Sequence, residues 1–95
     1  MFKIEYNKEN QTVYIEGNFD TSRAEEAKQV LNYINESIVV DLEKLDFICS
    51  AGIGILIMTY RNLKGKEKSI KLTNLKSHIR NLFEVSQLHT VFEIE

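Results

Sequence analysis

Proline is absent from all 95 residues and glycine occurs only 4 times, so no turn in this chain is fixed by a pyrrolidine ring. The single cysteine, Cys49, excludes an internal disulfide and suits a reducing compartment. No apolar run reaches the ~18–20 residues that a membrane-crossing helix needs, and the first residues, MFKIEYNKEN, lack the apolar core of a signal peptide. A cytoplasmic protein without membrane insertion is the expectation. A basic block is missing as well, since 12 Lys and Arg stand against 14 Asp and Glu for a formal charge of −2. Lys64, Lys66, Lys68 and Lys71 come nearest to one, but Glu67 interrupts them, and they read as a solvated turn and edge strand. Nucleic acid is therefore not the expected partner. Two scattered histidines and one cysteine match no zinc spacing, and Gly52-Ile53-Gly54 lacks the Lys-Ser/Thr of a phosphate-binding loop. No metal and no cofactor are expected.

What is present is an ordinary globular composition, 43 % hydrophobic and 27 % charged. The length fits one domain, residues 1–95, able to bury ~60–70 % of its unfolded surface. Phe2, Ile4 and Tyr6 alternate with polar residues as in a half-buried strand, and 12–17 repeats the pattern with Val13 and Ile15 on one face. The short polar stretch between them predicts a hairpin. Ser22 with Glu25 has the form of a capping box, and Ala24, Ala27, Val30, Leu31 and Ile34 lie at helical spacing, so a helix is predicted over 22–35. The run 38–42 reads as a strand covered on both faces. A helix over 50–64 follows, with Gly65 as its stop. Then come a strand over 69–73, a helix from 75 carrying Ile79, Leu82 and Phe83 on one side, and a last strand over 91–94. Strand–helix–strand units favour parallel neighbours joined by right-handed crossovers. The fold class is α/β, one mixed four- to five-stranded sheet packed by three or more helices, its first strand antiparallel.

The most informative stretch is Asp46-Phe47-Ile48-Cys49-Ser50-Ala51-Gly52-Ile53-Gly54-Ile55. It sets a hydroxyl, two small residues and two glycines at the mouth of a helix, where unpaired N–H groups and the positive end of the peptide dipole favour negative charge. Ser50 suits two roles there, a helix cap or an acceptor of phosphate on a rigid element. Cys49 likewise suits two, a thiol activated by the helix terminus or a small residue packed at the strand-to-helix turn. A Cys–His hydrolase built on Cys49 with His78 or His89 has no support in local spacing, and no enzyme is expected.

Three motifs together resemble the STAS family, the anti-sigma factor antagonist domains. Ile15-Glu16-Gly17-Asn18-Phe19-Asp20 is similar to that family's strand-ending G-x-[LF]-D. Val40-Asp41-Leu42, followed by Phe47-Ile48-Cys49-Ser50-Ala51-Gly52-Ile53-Gly54, is similar to its "DL…v.fiDSsGlg.L". Leu72-Thr73-Asn74-Leu75 leading into Ile79-Arg80-Asn81-Leu82-Phe83 is a weaker third. The resemblance runs from about Ile4 to Ile94 and implies a single STAS domain with its helices mostly on one side of the sheet. It also implies binding to an anti-sigma Ser/Thr kinase, phosphorylation of Ser50 by that kinase, release on phosphorylation and resetting by a phosphatase. By the same resemblance the partner-binding residues are Asp20, Arg23, Cys49, Ser50, Ala51, Gly52 and Gly54. The alternative that it offers is a STAS accessory subunit of an ABC-type lipid transport system.

The chain departs from the phospho-switch pattern where Cys49 replaces the Asp common before the serine, and Asn18 replaces an acidic residue frequent in the first motif. Asp20 reads equally as a binding residue or as a turn residue ahead of Ser22. Met58 and Tyr60 fit core packing at their helical spacing.

Overall fold

The computed structural model describes residues 1–95. Strands β1 (Phe2–Asn7) and β2 (Thr12–Phe19) form the expected hairpin, in register from Phe2↔Gly17 to Asn7↔Thr12. Its turn is built from Asn side chains: Asn7 Oδ1 accepts from the Glu9 amide at 3.0 Å, and Asn10 Oδ1 from Thr12 at 3.1 Å. A 3-10 turn (Thr21–Arg23) leads into α1 (Ala24–Leu31), then β3 (Ile38–Asp41), β4 (Leu45–Ile48), α2 (Ser50–Lys64), β5 (Ile70–Thr73) and α3 (Ser77–Val85). A second 3-10 turn (Leu88–Thr90) and β6 (Glu93–Ile94) close the chain.

The sheet runs β1-β2-β3-β5-β6, antiparallel only at β1–β2, with β4 pairing in parallel beside the far half of β2. It therefore has six strands, against the four or five expected. The additional one is β4, which lay unread inside the motif before Ser50. Gly17 sits in the left-handed region at φ +84, and a Cβ there would lie 2.1 Å from the Met1 carbonyl oxygen, so only glycine fits where β1 and β2 close up.

Alternate residues of β2, β3 and β5 are buried: Val13, Ile15 and Phe19, then Ile38 and Val40, then Ile70 and Leu72. Against them pack Ala27 and Leu31 of α1, Ile55, Leu56 and Leu63 of α2, and Ile79 and Phe83 of α3. The residues between, Tyr14, Glu16, Val39, Asp41, Lys71 and Thr73, are only half-buried. The helices thus cover one face of the sheet and leave the other open. Val39 corrects the reading of β3 as covered on both faces.

Other local expectations need correction. Helix α1 starts and ends inside the predicted 22–35, and no capping box forms. Ser22 donates its amide and hydroxyl to Asp20 Oδ1 at 3.1 and 2.6 Å, and Glu25 pairs with Lys28. Gly65 is still helical at φ −62. The left-handed residue that ends α2 is Glu67, flanked by Glu67 N→Lys64 O at 3.0 Å and Lys68 N→Leu63 O at 2.8 Å, the Schellman arrangement without its usual glycine. Lys71 lies on β5 between β3 and β6, not on an edge, where Glu93 and Glu95 each approach it at 3.4 Å.

Candidate functional site

Strands β2 and β4 end side by side at Phe19 and Ile48. The Cys49 amide donates to the Phe19 carbonyl at 3.0 Å, so Asp20 and Ser50 leave the sheet together. Sites in open α/β sheets form at such carboxyl ends of parallel strands. The two stretches are tied again by the Thr21 hydroxyl, 3.8 Å from the Cys49 sulfur.

Cys49, not Ser50, is the N-cap of α2, with extended φ −92 and ψ 174 and no side-chain capping bond. The cap reading of Ser50 is therefore corrected. Ser50 is the first helical residue and is exposed. No acidic side chain stands in the first turn of this 15-residue helix, so the helix itself does nothing to offset its positive end. The Cys49 thiol feels that end. Partial burial is the strongest single influence and pushes its pKa up, but the Gly52 amide, the Thr21 hydroxyl and the Ala51 and Cys49 amides together outweigh it, and the net value is lowered.

Asp20 caps the 3-10 turn. Both bonds from Ser22 fall on its Oδ1, and its other oxygen takes part in no hydrogen bond within the chain. The Ser22 hydroxyl holds its carboxyl below the usual range, with the Ser22 amide and the Arg23 charge acting in the same direction. Arg23 is exposed and reaches Glu26 at 3.6 Å. Ala51 is half-buried.

The glycines divide. A Cβ on Gly52 would stand 2.9 Å from Ile48 Cγ1 and 3.0 Å from Phe19 Cγ. Gly52 is buried and belongs to the helix–sheet contact, unlike the exposed Arg23, Ser50 and Gly54 with which the resemblance groups it for partner binding. Gly54 is exposed, and a Cβ there would meet nothing within 4 Å. Met58, expected in the core, is 36 % exposed. Tyr60 does pack inward, edge-on to Phe92 with centroids 5.8 Å apart.

Sequence reading also missed a clamp on β4. His78 has Nε2 at 2.7 Å from the Asp46 carbonyl, and Lys76 binds the Asp46 carboxylate. Lys76 lowers the Asp46 pKa, first by that bond and then by its charge. The only clue in the sequence was polar spacing at the start of α3, which does not name a partner on a strand thirty residues away.

No three His, Cys, Asp or Glu side chains converge on a point that could hold a metal. The surface clefts lie elsewhere, the best formed being a hollow of about 140 Å³ on the open sheet face lined by Tyr14, Ile15, Glu16, Asp41, Glu43 and Lys44. None of these clefts is lined by Asp20, Cys49, Ser50 or Gly54. No helix is long and apolar enough to cross a membrane.

A family model described as "Mlab, STAS domain" matches residues 2–93. The protein BtrV of Bordetella bronchiseptica, provisionally named an anti-sigma factor antagonist, is 32 % identical over 84 residues, covering 88 % of this chain and 72 % of its own. The anti-sigma-B factor antagonist of Listeria monocytogenes is 25 % identical over 87 residues, covering 87 % of this chain and 76 % of its own. Among solved structures, the unphosphorylated anti-sigma factor antagonist SpoIIAA matches with a TM-score of 0.71 at 20 % identity, over 100 % of this chain and 87 % of that one. SpoIIAA from Bacillus in its phosphorylated form gives 0.70 at 22 % identity, over 100 % and 91 %. At these identities the structural likeness bears on the fold alone.

Proposed function

The chain belongs to the STAS domain family, in its anti-sigma factor antagonist type, and we propose that it works by binding an anti-sigma Ser/Thr kinase through the Asp20 turn and the start of α2. The kinase phosphorylates Ser50, the phosphorylated form lets go, and a phosphatase restores it. The kinase brings the ATP and the catalysis; this protein is its ligand and its substrate. The observation that carries the reading is the exposed Ser50 at a helix start with no acidic residue in its first turn, beside a second exposed element. SpoIIAA, a structural relative, exists in phosphorylated and unphosphorylated forms.

Magnitudes decide which way the charge acts. A phosphate adds about −1.5 to −2 charges and three acceptor oxygens. At a helix N-terminus that is favourable by about 0.3–1 kcal/mol, so the domain stays folded. Against a docked protein the same charge must lose its water at a cost of several kcal/mol, about, unless paired. Binding falls while stability holds.

Cys49 removes the carboxylate common before the serine, and that substitution is what favours the second reading, in which the same surface docks on the ATPase of an ABC-type lipid transporter with no phosphate involved. Incubation with ATP and the anti-sigma kinases of the same genome separates the two. Phosphate is expected on Ser50 alone, with none taken up by Ser50→Ala. Phosphate elsewhere, or on no residue with any kinase, contradicts the switch.

A further inference from the structure

Single exposed apolar side chains are common and mean little by themselves. Phe47, 50 % exposed, is set apart by how it comes to be outside. Strand β4 meets β2 as Gly17↔Leu45, then Asn18↔Phe47 and Phe19↔Ile48, so Asp46 is an extra residue with no partner, a β-bulge. Leu45 points into the core. Strict alternation from there would bury Phe47 and expose Ile48. The bulge reverses both: Ile48 is buried, and Phe47 emerges beside the exposed Asn18 on the open face of the sheet. The larger apolar side chain is left in water and the smaller taken in, against the direction of burial free energy.

The bulge is held from outside. A carbonyl only accepts, so His78 Nε2 carries the proton that it gives to the Asp46 oxygen, and Lys76 grips the Asp46 carboxylate. Both fix the extra residue, and with it the direction of the side chain that follows. Bulges of this kind re-aim side chains beside functional sites.

The geometry points to Phe47 as an aromatic anchor for the partner that docks at Ser50, seated in an apolar pocket with a basic rim on that partner. This rests on the reading of Ser50 as part of a docking surface. Only Ile48 and Cys49 separate Phe47 from Ser50, the first residue of α2, which keeps their Cα atoms within about 11 Å of each other. Charge selects the rim. Asp46 is matched by Lys76, Glu16 lies opposite Lys3 across the β1–β2 pair and Asp20 feels Arg23, but none of Asp20, Glu16 and Glu43 is in an ion pair, and three carboxylates, Glu16, Asp41 and Glu43, line the hollow with Lys44 as its one cation. A second copy of the chain would set these carboxylates against their own equivalents across a two-fold axis. Lysines or arginines around an apolar hollow would match them.

The test is titration calorimetry of the purified chain with the purified anti-sigma Ser/Thr kinases of the same genome. Phe47→Ala and Phe47→Gln are each expected to weaken binding at least about 30-fold, the scale of an interface hot spot, at a melting temperature close to wild type. Phe47→Leu retains most of the affinity. Tyr33→Ala, which trims another highly exposed aromatic, set beside Tyr6 and Lys8 at the hairpin-turn end of the sheet, changes nothing. Affinities of both polar and truncated variants within about threefold of wild type, for a kinase whose binding Ser50→Asp weakens, overturn the anchor and leave the docking reading intact. Wild type binding to none of the kinases overturns both. Binding that does not weaken between about 0.05 and 0.5 M salt overturns the basic rim.

Discussion

At Gly52 an added Cβ crowds Ile48 and Phe19, whereas at Gly54 it meets open space. An interior helical glycine costs about 0.5–1 kcal/mol relative to alanine, and nothing inside the fold requires it at Gly54. Gly54→Ala is therefore expected to stabilise the domain by about that amount in thermal unfolding while weakening kinase binding, because the methyl holds the partner off. A stabilised variant with unchanged affinity would show that nothing approaches the backbone there. Gly52→Ala is expected to destabilise by about 1–3 kcal/mol through overpacking. Cys49 offers a second residue-scale check. Its lowered pKa places the half-point for iodoacetamide alkylation below that of the urea-unfolded chain. Equal half-points would mean that the helix start does not polarise the thiol, and would weaken the claim that it favours a phosphate.

Among the elements, α2 was legible because apolar residues recur along the whole of 50–64 and the motif marks its start. The hairpin was legible from strict alternation. Strand β4 was not, because its burial runs in, out, out, in, and the bulge at Asp46 erases the period of two that announces a strand. The same break hid Phe47, and it hid His78, whose role depends on where Asp46 comes to lie. The start of α1 was misread because Ser22 and Glu25 have the letters of a capping box while Asp20, two residues earlier, takes the bonds. At the site, the bond from the Cys49 amide to the Phe19 carbonyl brings the Asp20 turn and the start of α2 together, which no spacing in the sequence announces, and which glycine packs and which stays open also needed the third dimension. His78→Ala leaves the Asp46 carbonyl without its donor. Faster hydrogen exchange is expected at Phe47 and Ile48, with the amides of α1 unaffected. Unchanged exchange at β4 would mean that the bulge holds without α3.

For the whole molecule, charge sets the pH limits. Asp20 and Asp46 have lowered folded pKa values, so the stability they contribute is present above the ordinary carboxylate range and is lost as pH falls through those lowered values. Lys71 is raised, first by its bond to Glu95 and then by Glu93. Its contribution is present below the ordinary lysine range and is lost as pH rises through the raised value. Melting temperature is thus expected to be flat between about pH 5 and 7, with an acid limb made shallower by Asp46→Asn. An unchanged acid limb in that variant would remove the Asp46–Lys76 pair from the account. The open face of the sheet leaves room for a partner to approach from the same end of the molecule as Ser50 without displacing any helix.

The most direct measurement compares the phosphorylated and unphosphorylated protein, each titrated against the same anti-sigma kinase and each melted alone. The account predicts affinity at least about tenfold lower for the phosphorylated form, with a melting temperature equal to or slightly above that of the unmodified chain. Equal affinities, or a phosphorylated domain that binds weakly because it has come unfolded, would contradict it.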